Sequence, residues 1–128
     1  MRDYQRQRKN PYLLPHNVYK QVLYLVKDYD RMRSEQEDIL NSAAINDGMP
    51  RSLDPSDPTQ RKAERLDRIA DQLRAIEGAA VQIPEEYRRG VWNNVLYGMP
   101  YPITAGIATW KRWRARYIWH VARRAGLW

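Results

Sequence analysis

Apolar residues along this chain recur at helical spacing, and no stretch alternates with the two-residue period of a strand. Over residues 17–41 they fall at Val18, Val22, Leu25, Tyr29, Met32 and Ile39, in steps of four and three, with Gln36 as the one interruption. Pro15 lies just ahead, where a helix start tolerates proline. The pattern stops over residues 42–57, which Gly48, Pro50 and Pro55 punctuate, and a loop is predicted there. It resumes behind Asp57 and Pro58, with Asp57 placed as N-cap, Pro58 at the first helical position and Gln60 completing a capping box. The next apolar set is Leu66, Ile69, Leu73, Ile76, Ala80 and Ile83. Two helices of about 25 residues each, with matched seams, predict an antiparallel hairpin.

A third helix is expected from Pro84, with Glu85 and Glu86 suited to the positive end of its dipole. It runs through Tyr87, Val91, Val95 and Leu96 and stops at Gly98, a residue favoured just past a helix end. Met99-Pro100-Tyr101-Pro102 reads as a rigid turn, since each proline also restricts the residue before it. A short helical piece is expected over residues 103–106 and a last helix over residues 108–125. The fold class is all-α. Its expected parts are an N-terminal arm (1–14), a helical hairpin (15–83, with loop 42–57) and a helix-turn-helix unit (84–128).

Composition narrows the chemistry. A chain of 128 residues makes a small domain, and its large side chains are 9 Tyr and 5 Trp with no Phe, so most bulky apolar groups carry a polar tip. With no cysteine there is no disulfide, thiolate or Cys-based zinc site, and a reducing cytosol is the expected setting. No apolar run is long enough for a membrane span, and residues 1–10 do not read as a secretory signal. His16 and His120 stand alone without a third ligand, so no metal is expected. Neither a phosphate loop nor a nucleophile elbow is present; no enzyme activity and no cofactor are expected.

Charge is uneven. Residues 1–14 carry Arg2, Arg6, Arg8 and Lys9 against Asp3, while residues 15–86 carry ten basic and fourteen acidic side chains. Residues 87–128 carry Arg88, Arg89, Lys111, Arg112, Arg114, Arg116, Arg123 and Arg124 and no acid. That block accounts for the overall net charge of +7 and implies a polyanionic partner, double-stranded DNA first and an anionic membrane surface second. Seven of its eight cations are arginine, the side chain that best matches phosphate and guanine edges.

On a helical wheel, Trp110, Trp113, Tyr117, Ile118 and Val121 share one side of the last helix, with Ala125 at its edge. Arg112, Arg116, Trp119, His120 and Arg123 collect on the other. An amphipathic basic helix after a turn is the layout of a helix-turn-helix unit, whose second helix enters the major groove. Thr109, Lys111 and Arg112 would then lie nearest the bases, and Arg116 and Arg123 further along the groove. His120 would meet a phosphate, and Arg88 and Arg89 would clamp the flanking backbone. Trp92, Trp110 and Trp113 are read as core rather than as a platform for bases.

The segment Ile83-Pro84-Glu85-Glu86-Tyr87-Arg88, then Gly90-Val91-Trp92, Tyr101-Pro102, Ala105, Thr109-Trp110-Lys111-Arg112-Trp113 and Tyr117, resembles the C-terminal half of the RinA/ArpU-like phage transcriptional regulators. Leu14-Pro15, Val18-Tyr19, Lys27-Asp28-Tyr29 and Ser56-Asp57-Pro58-Thr59 are similar too. The resemblance implies a helix-turn-helix like that of sigma factor region four. It also implies a phage or prophage activator of late genes, working on promoter DNA in the cytoplasm of a bacterial host, with RNA polymerase as a further partner. A second copy of the chain, bound through the helical hairpin, is another candidate partner. The alternative reading is a packaging or assembly component such as a small terminase-like DNA-binding subunit.

Overall fold

A computed structural model describes residue 5, residues 9–45 and residues 58–128. Among them there is no strand, and the order is α1 (His16–Lys27), α2 (Tyr29–Ile45), α3 (Pro58–Val81), α4 (Glu85–Tyr97) and α5 (Ile107–Arg124). Helix α5 lies at the centre, in contact with α1, α3 and α4, while α2 packs on α3.

The single helix expected over residues 17–41 is two. At Asp28 the backbone enters the bridge region (φ −90°, ψ 5°), and its N–H turns back to the carbonyl of Leu25. Its own carbonyl accepts from Met32 and its carboxylate from Arg31, so one aspartate closes α1 and opens α2. The break separates two destinations. Tyr19, Val22, Leu23 and Val26 of α1 are buried on the side of α4 and α5, whereas α2 follows α3. Along that second pairing Tyr29 and Arg33 reach Glu77, Glu35 reaches Arg65, and Ser42 reaches Lys62, so α2 and α3 run antiparallel. The matched pair of long helices is therefore replaced by a shorter α2 against α3, with α1 in a different layer. Helix α2 continues to Ile45, past the expected end at residue 41. The rest of the expected loop, and the Asp57 cap, lie outside the described residues. Pro58 does open α3.

The buried face of α3 is the one its spacing gave: Ile69, Leu73, Ile76 and Ala80, joined by Ala75 and Ala79. Helix α4 begins after Pro84, whose carbonyl accepts from Tyr87 and Arg88, and it ends at Gly98 with φ 68°. That left-handed conformation favours glycine and lets the Gly98 and Met99 amides donate back to Asn94 and Asn93. Residues 103–106, expected as a helical piece, form turns and a bend instead. Pro100 and Pro102 remove two amide donors just ahead of them. The Asn94 side chain, buried within α4, donates to the Met99 carbonyl and ties this connection to the helix it leaves.

Trp110, 1% exposed, joins the connection to both helices. Its Nε1 donates to the Pro102 carbonyl at 3.0 Å, and its ring stacks on Tyr101 and meets the edge of Tyr87. Its far edge rests on Gly90, where a Cβ would stand 2.6 Å from two ring carbons. Gly90→Ala should therefore lower stability by about 1–3 kcal/mol through overpacking. A drop in the urea midpoint with unchanged helical circular dichroism below the transition is the expected result.

Candidate nucleic-acid interface

Burial on α5 divides its faces. Trp110, Tyr117, Ile118 and Val121 are buried and Trp113 and Ala125 partly so, as the wheel predicts; Arg114 and Ala122 are buried with them. Lys111, Arg112 and Arg123 are exposed, and Thr109, Arg116, Trp119 and His120 are half-buried.

The eight cations of residues 87–128 fall into two groups. Arg88, expected as a clamp on DNA, instead donates from Nε to the Ala80 and Ile83 carbonyls and from a terminal nitrogen to Ile83. It completes the unpaired carbonyls at the end of α3, where a cation also suits the helix dipole. Arg114 is 8% exposed and donates to the Tyr19 hydroxyl at 2.8 Å, linking α5 to α1. Its Nε has no acceptor. The signal for it was present in the sequence, because position 114 falls between Trp110 and Ile118 on the apolar side of the wheel. Arg124 lies against Gly78 of α3, where a Cβ would stand 2.9 Å from its guanidinium. Arg89, Lys111, Arg112, Arg116 and Arg123 remain for a partner.

None of those five has a carboxylate partner among the described residues. Ion pairs along α2 and α3 and at the start of α2 join Arg31 with Asp28 and Glu35, Arg33 with Glu77, Arg65 with Glu35, and Arg74 with Asp71. Arg112 makes a long contact, 3.4 Å, to the Thr109 hydroxyl, and Arg123 donates to the Trp128 carbonyl. The remainder of α5's polar face is organised by rings. Tyr87 stacks on Trp113 (5.5 Å), Arg116 lies over Trp113 (4.5 Å), and Tyr12 covers Arg116 (5.2 Å). Tyr12 then meets Trp119 edge-on (5.5 Å), and Arg123 lies over Trp119 (5.7 Å). Sequence spacing gave no sign of Tyr12, which is separated from α5 by the whole of the intervening fold. Trp92 packs between Tyr29 and Tyr117, consistent with a place at the core margin.

Among the described residues there is no cluster of three metal-binding side chains, and no helix is long and apolar enough to cross a membrane. No family model, curated protein or solved structure matches the chain.

His120 senses the field of this face. Burial, then the charges of Arg124 and Arg116, hold its imidazole below the ordinary value of 6.5. Because the folded value lies below the unfolded one, folding opposes protonation. Its contribution is intact above the unfolded value and is lost as pH falls through the lower folded value. Urea midpoints measured from about pH 7.5 down to about pH 5 should fall less steeply for His120→Gln than for the unsubstituted chain.

Proposed function

We propose that this protein binds double-stranded DNA through the exposed strip at the N-terminal half of α5. The observation that carries the reading is the segregation of cations. Arg31, Arg33, Arg65 and Arg74 of α2 and α3 are met by carboxylates of the same helices, whereas Lys111, Arg112, Arg116, Arg123 and Arg89 have no such partner among the described residues. A row of unpaired arginines on one helix favours a regularly spaced polyanion.

Helix α4, the connection and α5 act in this reading as a helix-turn-helix unit with an extended turn. The connection spans residues 98–106, longer than the three or four residues usual for that motif. The exposed residues of α5 are Ile107, Ala108, Lys111 and Arg112 in its first turns and Arg123 and Arg124 in its last, and first turns are the ones that read base edges when such a helix enters the major groove. Thr109, Lys111 and Arg112 lie there; Arg116, His120 and Arg123 follow, and Arg89 projects from α4. Transcriptional regulation by a phage-type activator is the narrower form of this proposal. Its support is the motif resemblance over residues 83–117.

Lys111→Ala combined with Arg112→Ala should weaken binding of a promoter-length duplex by about 10- to 100-fold in fluorescence anisotropy, and should make the dependence on salt shallower. Undiminished affinity in that variant would remove α5 from the interface. Arg88→Ala separates structure from binding. It should lower unfolding free energy by about 1–2 kcal/mol while duplex affinity stays within about twofold.

A further inference from the structure

Resting on the DNA-binding reading, we propose that Arg116, held against the rings of Trp113 and Tyr12, is a preformed seat for one backbone phosphate, and that Tyr12 is its positioning residue.

The geometry divides the guanidinium into faces and edges. Trp113 lies 4.5 Å from it and Tyr12 5.2 Å, both within cation–π range. A ring face takes up none of the conventional hydrogen-bond donors, so the guanidinium N–H groups stay available, and a planar guanidinium matches the paired oxygens of a phosphate. Among the described residues no carbonyl or carboxylate accepts from Arg116. An ordered cation with unmet donors has lost its conformational freedom before any ligand arrives, which lowers the entropic penalty of binding.

Both rings are themselves fixed. Trp113 is backed by Tyr87 of α4, at 5.5 Å and 21° between planes. Tyr12 sits in a turn held by two bonds to Asn10: its amide donates to Asn10 Oδ1, and the Leu13 amide donates to the Asn10 carbonyl. Two residues on, Leu14 is 3% exposed and exchanges two 2.8 Å hydrogen bonds with the Gln5 side chain. The segment before α1, noted in the sequence only as a basic arm, thus contributes an aromatic ring to α5. Arg112 and His120, one turn to either side of Arg116 on the same ridge, place further donors beside the seat.

The test uses the whole chain with inorganic phosphate and, separately, a duplex of about 20 base pairs, following the Arg116 Nε–H signal by nitrogen-15 NMR and duplex affinity by anisotropy. The expected result is a saturable shift of the Arg116 signal with phosphate, and the same signal moving with duplex. Tyr12→Leu should weaken both by about three- to fivefold, while Tyr12→Phe should retain them, since only the ring face is used. Arg116→Lys should behave like Tyr12→Leu, because a compact ammonium lacks the stacked plane. It keeps the test open even where Tyr12→Leu unfolds. Wild-type behaviour of both Tyr12→Leu and Arg116→Lys, or an Arg116 signal unmoved by either ligand, overturns the proposal. A phosphate response without duplex binding overturns the DNA reading and leaves the seat standing. Preference for anionic phospholipid vesicles over duplex overturns the nucleic-acid source in favour of a lipid phosphate.

Discussion

The position of α5 depends on one contact: the indole of Trp110 lying on bare backbone at Gly90. Because no Cβ intervenes, α4 and α5 approach closely enough for the same ring to stack on Tyr101 and bond to the Pro102 carbonyl. Two helices and their connection are thereby fixed by one side chain that is almost wholly buried. The orientation of everything else on α5 follows from helical geometry. With Trp110 inward, Lys111 and Arg112 must turn outward, and Tyr117 and Val121 fall on the same inward side to meet α3. The Tyr117 hydroxyl completes that contact through the Ile76 carbonyl, and burial pushes its phenol far above the ordinary tyrosine value.

Charge is partitioned by the same packing. The α2–α3 pair keeps its opposite charges close, in exposed or half-exposed ion pairs that each contribute little to stability. Arg114 is the contrasting case, a buried cation bonded to a tyrosine hydroxyl and lying near its ring. A guanidinium tolerates this better than an ammonium because it is more weakly hydrated. The Tyr101 hydroxyl is buried without a partner in the same region, and the Arg114 charge opposes the upward push of burial on it. Arg88 and Arg114 thus bond within the fold, and fewer of the cations of residues 87–128 stay uncommitted than the raw count implies.

Much of the fold was legible because burial on a helix is periodic. Ile69, Leu73, Ile76 and Ala80 are inward in both the spacing and the structure, as are Trp110, Tyr117 and Val121. Gly98 was legible for a local reason, the left-handed conformation it adopts at the end of α4. The break at Asp28 was hidden because α1 and α2 preserve a common apolar period while burying it against different neighbours. The capping role of Arg88 and the Tyr12–Arg116 contact were hidden for another reason. Each joins elements brought together by tertiary packing, which sequence spacing within one helix does not encode. A cation one helical turn after the Ile83-Pro84 helix boundary was the local trace of the first; the second left none.

The absence of phenylalanine acquires a structural meaning from these contacts. A phenyl ring would supply comparable apolar area, yet the Trp110 bond to Pro102, the Tyr117 bond to Ile76 and the Tyr19 acceptor for Arg114 all need the polar atom of the ring. Along the outer side of α5 the requirement changes. There the ring faces hold guanidinium groups, at Trp113 and Tyr12 for Arg116 and at Trp119 for Arg123. The inward rings fix the helix through their polar atoms, and the outward rings order the cations through their faces. A surface of arginines held in this way presents its donors at set positions, and under the proposed reading that order is what would set it apart from a merely positive helix.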